Sequence, residues 1–527
     1  MQYDKMRSAQ NEARKMNNKL IRLIALMLVS LMLLFAVVAC DSGSSGGDET
    51  SGTGGESGGP SNSGNGDGDE TTFEQIGVPD GLNYGNTISI LCWSDVQEPE
   101  FEVKEVSLDH TLQAIYERNQ NTVKKLGLNA EEGGLTWTSI KGRGNTNMVE
   151  FAQHVGNSYI SGNRDYDIVA TYSRTAALCA INGYFADIAA IEDSHIDLTR
   201  TWWTPSLVET VTIDDSIYFL SGDISTNTIH MMYTIFCNTE MIKTLNLKDP
   251  VQMAVDGKWT LAEFRSLCEG VFMEQMNDGK PDTGDRFGFV TTMGNTEAFY
   301  NGNDLFAIDT DDEEVLIMSD DIKSQKASKL VNDLTEFFQT IDVRPFGNPA
   351  IEFTAENALF TQYTMRFAQN YLSKVQFKYA ALPTPKYEEK QVGYRTAVSA
   401  DVSLWGIMKD VENDPDMLSE CSAVLETLAY YGYRYTTPQI FETNLKVKYS
   451  DIDDLNTVKC FDLIREGVVY DLGYIIPSTE LGDYFSSIFA RAVCGKDDWS
   501  SVKNANYTMM SNRLVEIIDK FDQHKYG

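Results

Sequence analysis

The chain has 527 residues, enough for two to four domains and a sizeable core. Hydrophobic residues make up 42% and charged residues 23%, which excludes a wholly disordered chain. Its 77 Asp and Glu against 43 Lys and Arg give a net charge of −34, and such a surface repels phosphate backbones and anionic headgroups. Nucleic-acid binding is therefore not expected.

Residues 1–22 carry Lys5, Arg7, Arg14, Lys15, Lys19 and Arg22 against Asp4 and Glu12, and an apolar run from Leu23 to Ala39 follows, broken only by Ser30. A basic stretch and then an apolar one are the parts of a secretory signal. The run closes on Val37-Val38-Ala39-Cys40, which resembles the lipobox of bacterial lipoproteins. The resemblance implies that residues 1–39 are removed and that Cys40 is lipidated, so that the membrane is reached through Cys40 only. A plain transmembrane anchor is the alternative, although about 17 apolar residues are at the lower limit for a span. Both readings put the body outside the cytoplasm. Residues 40–72 are Gly, Ser, Asp, Glu, Asn and Thr with almost nothing apolar, which predicts a disordered tether. Its reach is roughly 30 Å.

Beyond the tether, short β-rich runs alternate with helical patterns. Ile88–Trp93, Leu135–Ile140 and Asp167–Thr171 read as strands. Thr111–Leu126, Met148–Ile160 and Thr175–Ile181 read as the helices between and after them. That order predicts an α/β fold with a mostly parallel sheet, in which ligands gather at the carboxyl ends of the strands. Trp93-Ser94-Asp95 and Thr171-Tyr172-Ser173-Arg174 then share one rim.

The landmarks over 85–527 resemble the extracellular solute-binding proteins of ABC transporters, of the type related to maltose-binding protein. The resemblance is carried by Tyr166-Asp167-Ile168-Val169 with Gly183–Asp187, by Tyr218–Asp223 with Tyr233–Asn238, and by Gly257-Lys258-Trp259-Thr260. Phe353–Phe360, Ala381–Lys386, Ser399-Ala400-Asp401 and Pro477–Ala492 continue it in order. Thr260 is a predicted helix cap with Glu263 completing a capping box. Glu356-Asn357 departs from the Gly-Lys turn of many members, and the loop 361–367 lacks their Gly- and Trp-rich form. The resemblance implies a two-lobed periplasmic-binding-protein-like fold of class II type, each lobe a mostly parallel sheet flanked by helices, with the ligand cleft at the hinge. It assigns 85–220 plus 350–400 to an N-lobe and 221–349 plus 401–527 to a C-lobe.

The function it implies is capture of a carbohydrate, an oligosaccharide, by interlobe closure and delivery to an ABC permease, by a monomer without a cofactor. The expected cleft residues are Trp93, Asp95, Tyr172, Ser173, Arg174, Tyr363 and Arg366 from the first lobe. Asp223 and Asp401 come from the crossings, and Tyr484 and Phe485 from the second lobe. Asp and Arg can grip neighbouring hydroxyls in a fixed fork, and aromatic rings suit the apolar face of a pyranose. Each ring is equally a candidate for core packing, and Arg174 and Asp223 for surface ion pairs. The three arginines Arg143, Arg174 and Arg366 leave an anionic ligand open.

Catalytic signatures are missing. The sequence has no G-x-S-x-G or H-E-x-x-H, its five histidines are scattered, and 77 acids pair by chance. A surface glycan hydrolase stays as the alternative function, requiring two cleft carboxylates at catalytic separation. His230, in an apolar run, reads as core or hinge packing. Gly142-Arg143-Gly144 reads as a strand-to-helix turn. Asn277–Asp285 has part of a calcium loop's spacing through Asp278, Asp282 and Asp285, but Met276 takes a ligand position and a turn-rich surface loop is the better reading. The cysteines after Cys40 lie in apolar runs and read as buried thiols, with a disulfide or two still open.

Overall fold

The computed structural model describes residues 74–96, 99–311, 314–442 and 455–526. The stretches read from sequence as a signal peptide, lipidation site Cys40 and tether lie outside them. The described residues form one compact unit.

Thirteen strands are named here in chain order: β1 (Ile88–Trp93), β2 (Leu135–Ile140), β3 (Ile168–Tyr172), β4 (Tyr233–Asn238), β5 (Phe287–Val290), β6 (Ile308–Thr310), β7 (Leu316–Met318), β8 (Val343–Arg344), β9 (Ala358–Thr364), β10 (Tyr379–Leu382), β11 (Thr396–Ala397), β12 (Ser403–Ile407) and β13 (Val468–Val469). The helices that matter below are α1 (His110–Leu126), α2 (Asn145–Ser161), α3 (Ser173–Ile181), α4 (Leu261–Cys268), α5 (Gln325–Phe338), α6 (Pro415–Tyr431), α7 (Leu455–Glu466), α8 (Phe485–Val493) and α9 (Trp499–Tyr526).

Two sheets carry the architecture, in the orders β12-β3-β1-β2 and β10-β4-β9-β5-β8. In the first, β1 is parallel to β2 and β3, while β12 runs antiparallel to β3. In the second, β5 is parallel to β8 and β9, whereas β4 is antiparallel to β9 and β10. Both sheets are therefore mixed, with two of three pairings parallel in the first and two of four in the second. The opposed strands border the two places where the chain passes between the sheets, at 221–232 and 398–402, and so arrive from the other end.

Local chemistry explains the elements. All five residues of β3 are buried, as suits a strand covered on both faces. Helix α1 starts where Asp109 accepts from the amides of Thr111 and Leu112, and it stops at Gly127, whose φ of 58° is left-handed. Inside α1 the Arg118 guanidinium is fully buried and donates to the carbonyls of Glu100, Phe101 and Ile224. That fastens the helix to the first crossing. Thr260 caps α4 by accepting from the Glu263 amide at 3.3 Å. The Glu263 carboxylate turns instead to Lys248 Nζ at 3.1 Å, so half of the predicted capping box forms.

The lobe boundaries need correction. The sequence reading gives 350–400 to the first lobe and 401–527 to the second, yet β9 and β10 pair with β4 in the second sheet, and β12 joins β3 in the first. Helix α6 follows β12 and packs on α1, so 401–442 sides with the first sheet. Helix α7 packs on β10, and α8 on α5, so the chain from 455 sides mainly with the second. The physical reason is edge pairing. The residues of β12 are buried throughout and fill the open edge of β3, and the proline-marked end at Pro383 merely terminates β10 beside β4.

Candidate functional site

Parallel pairing brings the carboxyl ends of β1, β2 and β3 to one rim, with Trp93 opposite Ile140 in the register. On the second sheet the ends of β5 and β9 share a rim with the start of β4, where Tyr233 pairs with Thr364. Met232 bridges to Val398, which ties the two crossings together beside these rims.

On the first rim, Asp95 turns its carboxylate onto the amides of Gly142 and Arg143, at 2.5 and 3.1 Å. The Gly142-Arg143-Gly144 turn thus holds an internal carboxylate on its amides. Glycine is required at 142, because a Cβ there would lie 2.9 Å from Thr171 Oγ1 and 3.2 Å from Trp93 Cβ. The Arg143 guanidinium, more than half exposed, pairs with Asp401 at 2.7 Å. On the second rim, Tyr233 Oη donates to the Glu297 carboxylate at 2.9 Å, and Tyr474 Oη donates to the Glu297 carbonyl at 3.3 Å.

Three contacts join the rims. Arg174 Nε donates to the Tyr474 carbonyl at 2.9 Å, and its guanidinium carbon sits 3.8 Å from the centroid of the Tyr484 ring. Tyr484 Oη donates to Asn145 Oδ1, 2.9 Å away at the start of α2. A cation over an aromatic face is worth about 0.5–2 kcal/mol, more as water is excluded.

The charges are balanced. Burial pushes the Glu297 carboxyl up, against the pull of Arg174 and hydrogen bonds from Tyr233 and Ser486. Burial also raises Asp401, opposed by Arg143, Arg174 and Arg366. Burial works against the charge of Arg174, but Tyr172, Glu297, Tyr484 and Asp401 outweigh it and its pKa rises. His230, whose Nδ1 faces Arg366 at 3.3 Å, is pushed down to about 3 by burial and by that arginine, so it stays neutral.

Of the residues expected from sequence, Asp95, Arg174, Asp401 and Tyr484 meet here. Tyr363 is half-buried nearby, its ring 4.9 Å from Phe367. Arg366 lies beneath, bonded to Asn227 and His230. Trp93, Tyr172 and Ser173 are buried under the first rim: Trp93 Nε1 donates to Ser403 Oγ at 2.9 Å, the Trp93 and Tyr172 rings are 5.7 Å apart, and Ser173 Oγ donates to the Ala400 carbonyl. Phe485 is core, packed edge-on to Tyr300 at 4.8 Å. Asp223 is held apart from the rims, accepting from Thr437 Oγ1 at 2.7 Å with Arg465 at 3.5 Å. Sequence reasoning missed Asn145, Tyr233, Glu297 and Tyr474. Tyr233 had a usable signal as the first residue of a strand leaving a crossing, whereas Glu297 sits in a short 3-10 turn without periodicity.

A cavity of about 810 Å3 opens elsewhere, between residues 204–210 and the β6–β7 hairpin, and none of the expected cleft residues lines it. In the 277–285 loop, the fully buried Asp285 accepts from the amides of Gln275, Met276 and Asp282, and Asp278 from that of Lys280. Those carboxylates organise the loop itself. Among the described residues, no group of three or more His, Cys, Asp or Glu is placed to hold a metal ion.

No protein-family model matches the chain, and no curated protein matches it. Solved structures do. The cyclic α-maltosyl-1,6-maltose binding protein from Arthrobacter globiformis aligns with a TM-score of 0.53 at 11% identity, over 82% of this chain and 100% of that one. A sugar transporter from Rhizobium etli in an open conformation aligns with a TM-score of 0.51 at 10% identity, over 81% and 99%. A cyclo/maltodextrin-binding protein complexed with maltotetraose gives 0.50 at 13% identity, over 83% and 98%. The chain has the two-lobed fold of periplasmic binding proteins.

Proposed function

We propose that this chain is an extracytoplasmic solute-binding lipoprotein that captures an oligosaccharide by closure of its two lobes and hands it unchanged to an ABC permease. One arrangement supports this above all: Arg174 and Asn145 of the first rim reach Tyr474 and Tyr484 of the second across the strand ends. A sugar site needs an apolar face and a few fixed donors and acceptors. Tyr484 and Tyr363 supply faces here, and Arg174, Asp95, Asp401 and Glu297 supply polar groups. Arg366 supports them from below. Trp93, Tyr172, Ser173 and Phe485 shape the walls from beneath, and Asp223 acts at the hinge. Two structurally similar proteins are described with oligosaccharides, maltotetraose and cyclic maltosyl-maltose, which favours that ligand class. Arg143 is already paired with Asp401, which speaks against an anion at that point.

In this reading Cys40 carries the lipid, residues 40–72 are the leash, and the body works as a monomer without a cofactor. No covalent step is needed. A ligand stabilises the closed form only by its greater affinity for it, and hinge closure around a ligand is the motion by which periplasmic binding proteins work.

The test is thermal unfolding of residues 73–527 against linear and cyclic maltooligosaccharides, other oligosaccharides, peptides and polyamines. A ligand at 100 times its Kd adds about 2.7 kcal/mol to the stability. Tyr484→Ala, which removes the ring face and the bond to Asn145, is expected to weaken binding of the responding sugar roughly 3- to 30-fold by titration calorimetry. A sugar recovered cleaved would transfer the assignment to a glycan hydrolase. A panel in which no sugar shifts the melt refutes the carbohydrate ligand.

A further inference from the structure

The last helix is seated on both lobes. α9 runs 28 residues, which at the α-helical rise is about 42 Å. Its first half belongs to the second lobe. Trp499 meets Phe485 and Phe489 edge-on at 6.3 Å each, Tyr507 Oη donates to the Met318 carbonyl at 3.0 Å, and Met510 and Leu514 are buried. Lys520 still pairs with Glu480 of the second lobe at 2.7 Å, and from Phe521 onward the helix meets the first lobe. Phe521 stacks on Tyr218 at 5.2 Å between centroids, and His524 Nε2 lies 3.0 Å from the carbonyl of Ile181 at the end of α3. Lys525 Nζ donates to the Asp214 carbonyl and carboxylate, and Tyr526 Oη donates to the same carboxylate at 3.0 Å. Gly183 makes the seat: its φ is 74°, and a Cβ there would fall 2.6 Å from the His524 ring.

The two anchorages are far from the gap they span. Helix α3 begins at the rim and Ile181 is at its other end, about 13 Å along. Tyr218 precedes Leu220, which pairs with the middle of β12 on the first sheet's edge. A straight helix bolted to two bodies cannot follow both when they rotate about a hinge, so opening must release one end. The second-lobe end is held by deeper burial, with Met510 and Leu514 both nearly inaccessible.

We propose that the final turns of α9, Phe521–Tyr526, are a latch that the first lobe grips only when the lobes are closed, biasing the receptor toward closure before any solute arrives. The inference rests on the hinge-closing reading above, but it is tested without a ligand. Because apparent affinity scales with the fraction of molecules in the binding-competent form, the latch also tunes the affinity for whatever solute is bound.

The experiment is small-angle X-ray scattering of ligand-free residues 73–527, with circular dichroism as the check on folding. A compact body of this length has a radius of gyration of roughly 22 Å. In Phe521→Ala/Lys525→Glu the radius is expected to rise by about 1 Å, the sign of domain opening, with the helical signal kept. Lys525→Asp alone is expected to open part of the population, and Asp214→Lys/Lys525→Asp to restore the compact radius. If the double variant loses its fold, the charge-swap series decides alone. Folded variants that keep the wild-type radius overturn the latch. Opening of the variants together with a silent sugar panel would leave the latch standing and remove only the ligand class.

Discussion

Alanine at Gly432 is expected to destabilise the folded chain by about 1–3 kcal/mol, read as a fall in the urea midpoint. Gly432 follows α6, where the helix widens into a π turn over Gly432–Thr436. A Cβ there would lie 1.9 Å from the Asp223 carbonyl oxygen and 2.6 Å from its carbon. Both obstacles are main chain, so neither can swing aside. Asp223 is itself pinned, since its amide donates to the Trp202 carbonyl and its carboxylate accepts from Thr437. Gly222 repeats the situation one residue earlier, with a Cβ position 2.1 Å from the Trp202 oxygen. Three backbone segments are therefore stacked without side chains at the first crossing. Displacing them should also disturb the lobe angle, so solute affinity should fall along with stability. Gly294→Ala is the control, because nothing lies within 4 Å of its added carbon, and it should stay within about 0.5 kcal/mol of wild type.

Stability is expected to fall as pH rises from about 5 to 8, in a manner that Glu426→Gln blunts. Glu426 is fully buried in α6 and accepts from the indole N–H groups of Trp202 and Trp203 at 3.2 and 2.8 Å. Burial pushes its carboxyl up to about 7, against those hydrogen bonds. An unfolded glutamate titrates near 4.3. Between those values the native state keeps a proton that the unfolded state has lost, so the stabilisation is complete below the unfolded value and gone above the folded one. The full effect is about 3–4 kcal/mol at 1.36 kcal/mol per pH unit. Asp471, raised by burial to about 6, adds in the same direction, although three backbone amides and Asn301 work against burial there. Glu74 and Asp197, held low by Arg200 and by hydroxyl or amide donors, act oppositely, and their contribution is lost as pH falls below about 4. The unfolding midpoint against pH should therefore crest on the acid side of neutrality. A flat or rising profile from 5 to 8 would contradict the protonated Glu426.

The strands of the first sheet were the most legible part of the chain. Ile88–Trp93 and Leu135–Ile140 coincide with the reading from sequence, and α1 differs by one residue because Asp109 and Gly127 punctuate it. Ownership of β9, β10 and β12 was not legible, because it depends on which sheet has an unpaired edge when each arrives. The same limit applies to rings. Trp93 and Phe485 carry the right chemistry for stacking on a solute, but strand or helix position alone does not tell an inward face from an outward one, and both are buried. Polar residues fared better where a turn displays them: Asp95, Arg174, Asp401 and Tyr484 follow strand ends or precede helices, and all four arrive at the rims.

The cysteines of the body have a further consequence. Cys92, Cys179, Cys237, Cys268, Cys421 and Cys460 are buried as thiols rather than disulfides, and Cys494 is a half-buried one. Burial lifts the Cys92 thiol to about 12 and the Cys494 thiol to about 11. Alkylation requires the thiolate, so these groups stay silent until the surrounding structure parts. Three of them, Cys92, Cys179 and Cys421, report on the first sheet and its helices, and Cys237, Cys268 and Cys460 on the second. The molecule thus carries its own stopwatch: a timed pulse of maleimide in mild denaturant, read peptide by peptide in a mass spectrometer, should show Cys494 marked first and then each trio as a set, recording the order in which the two halves come apart.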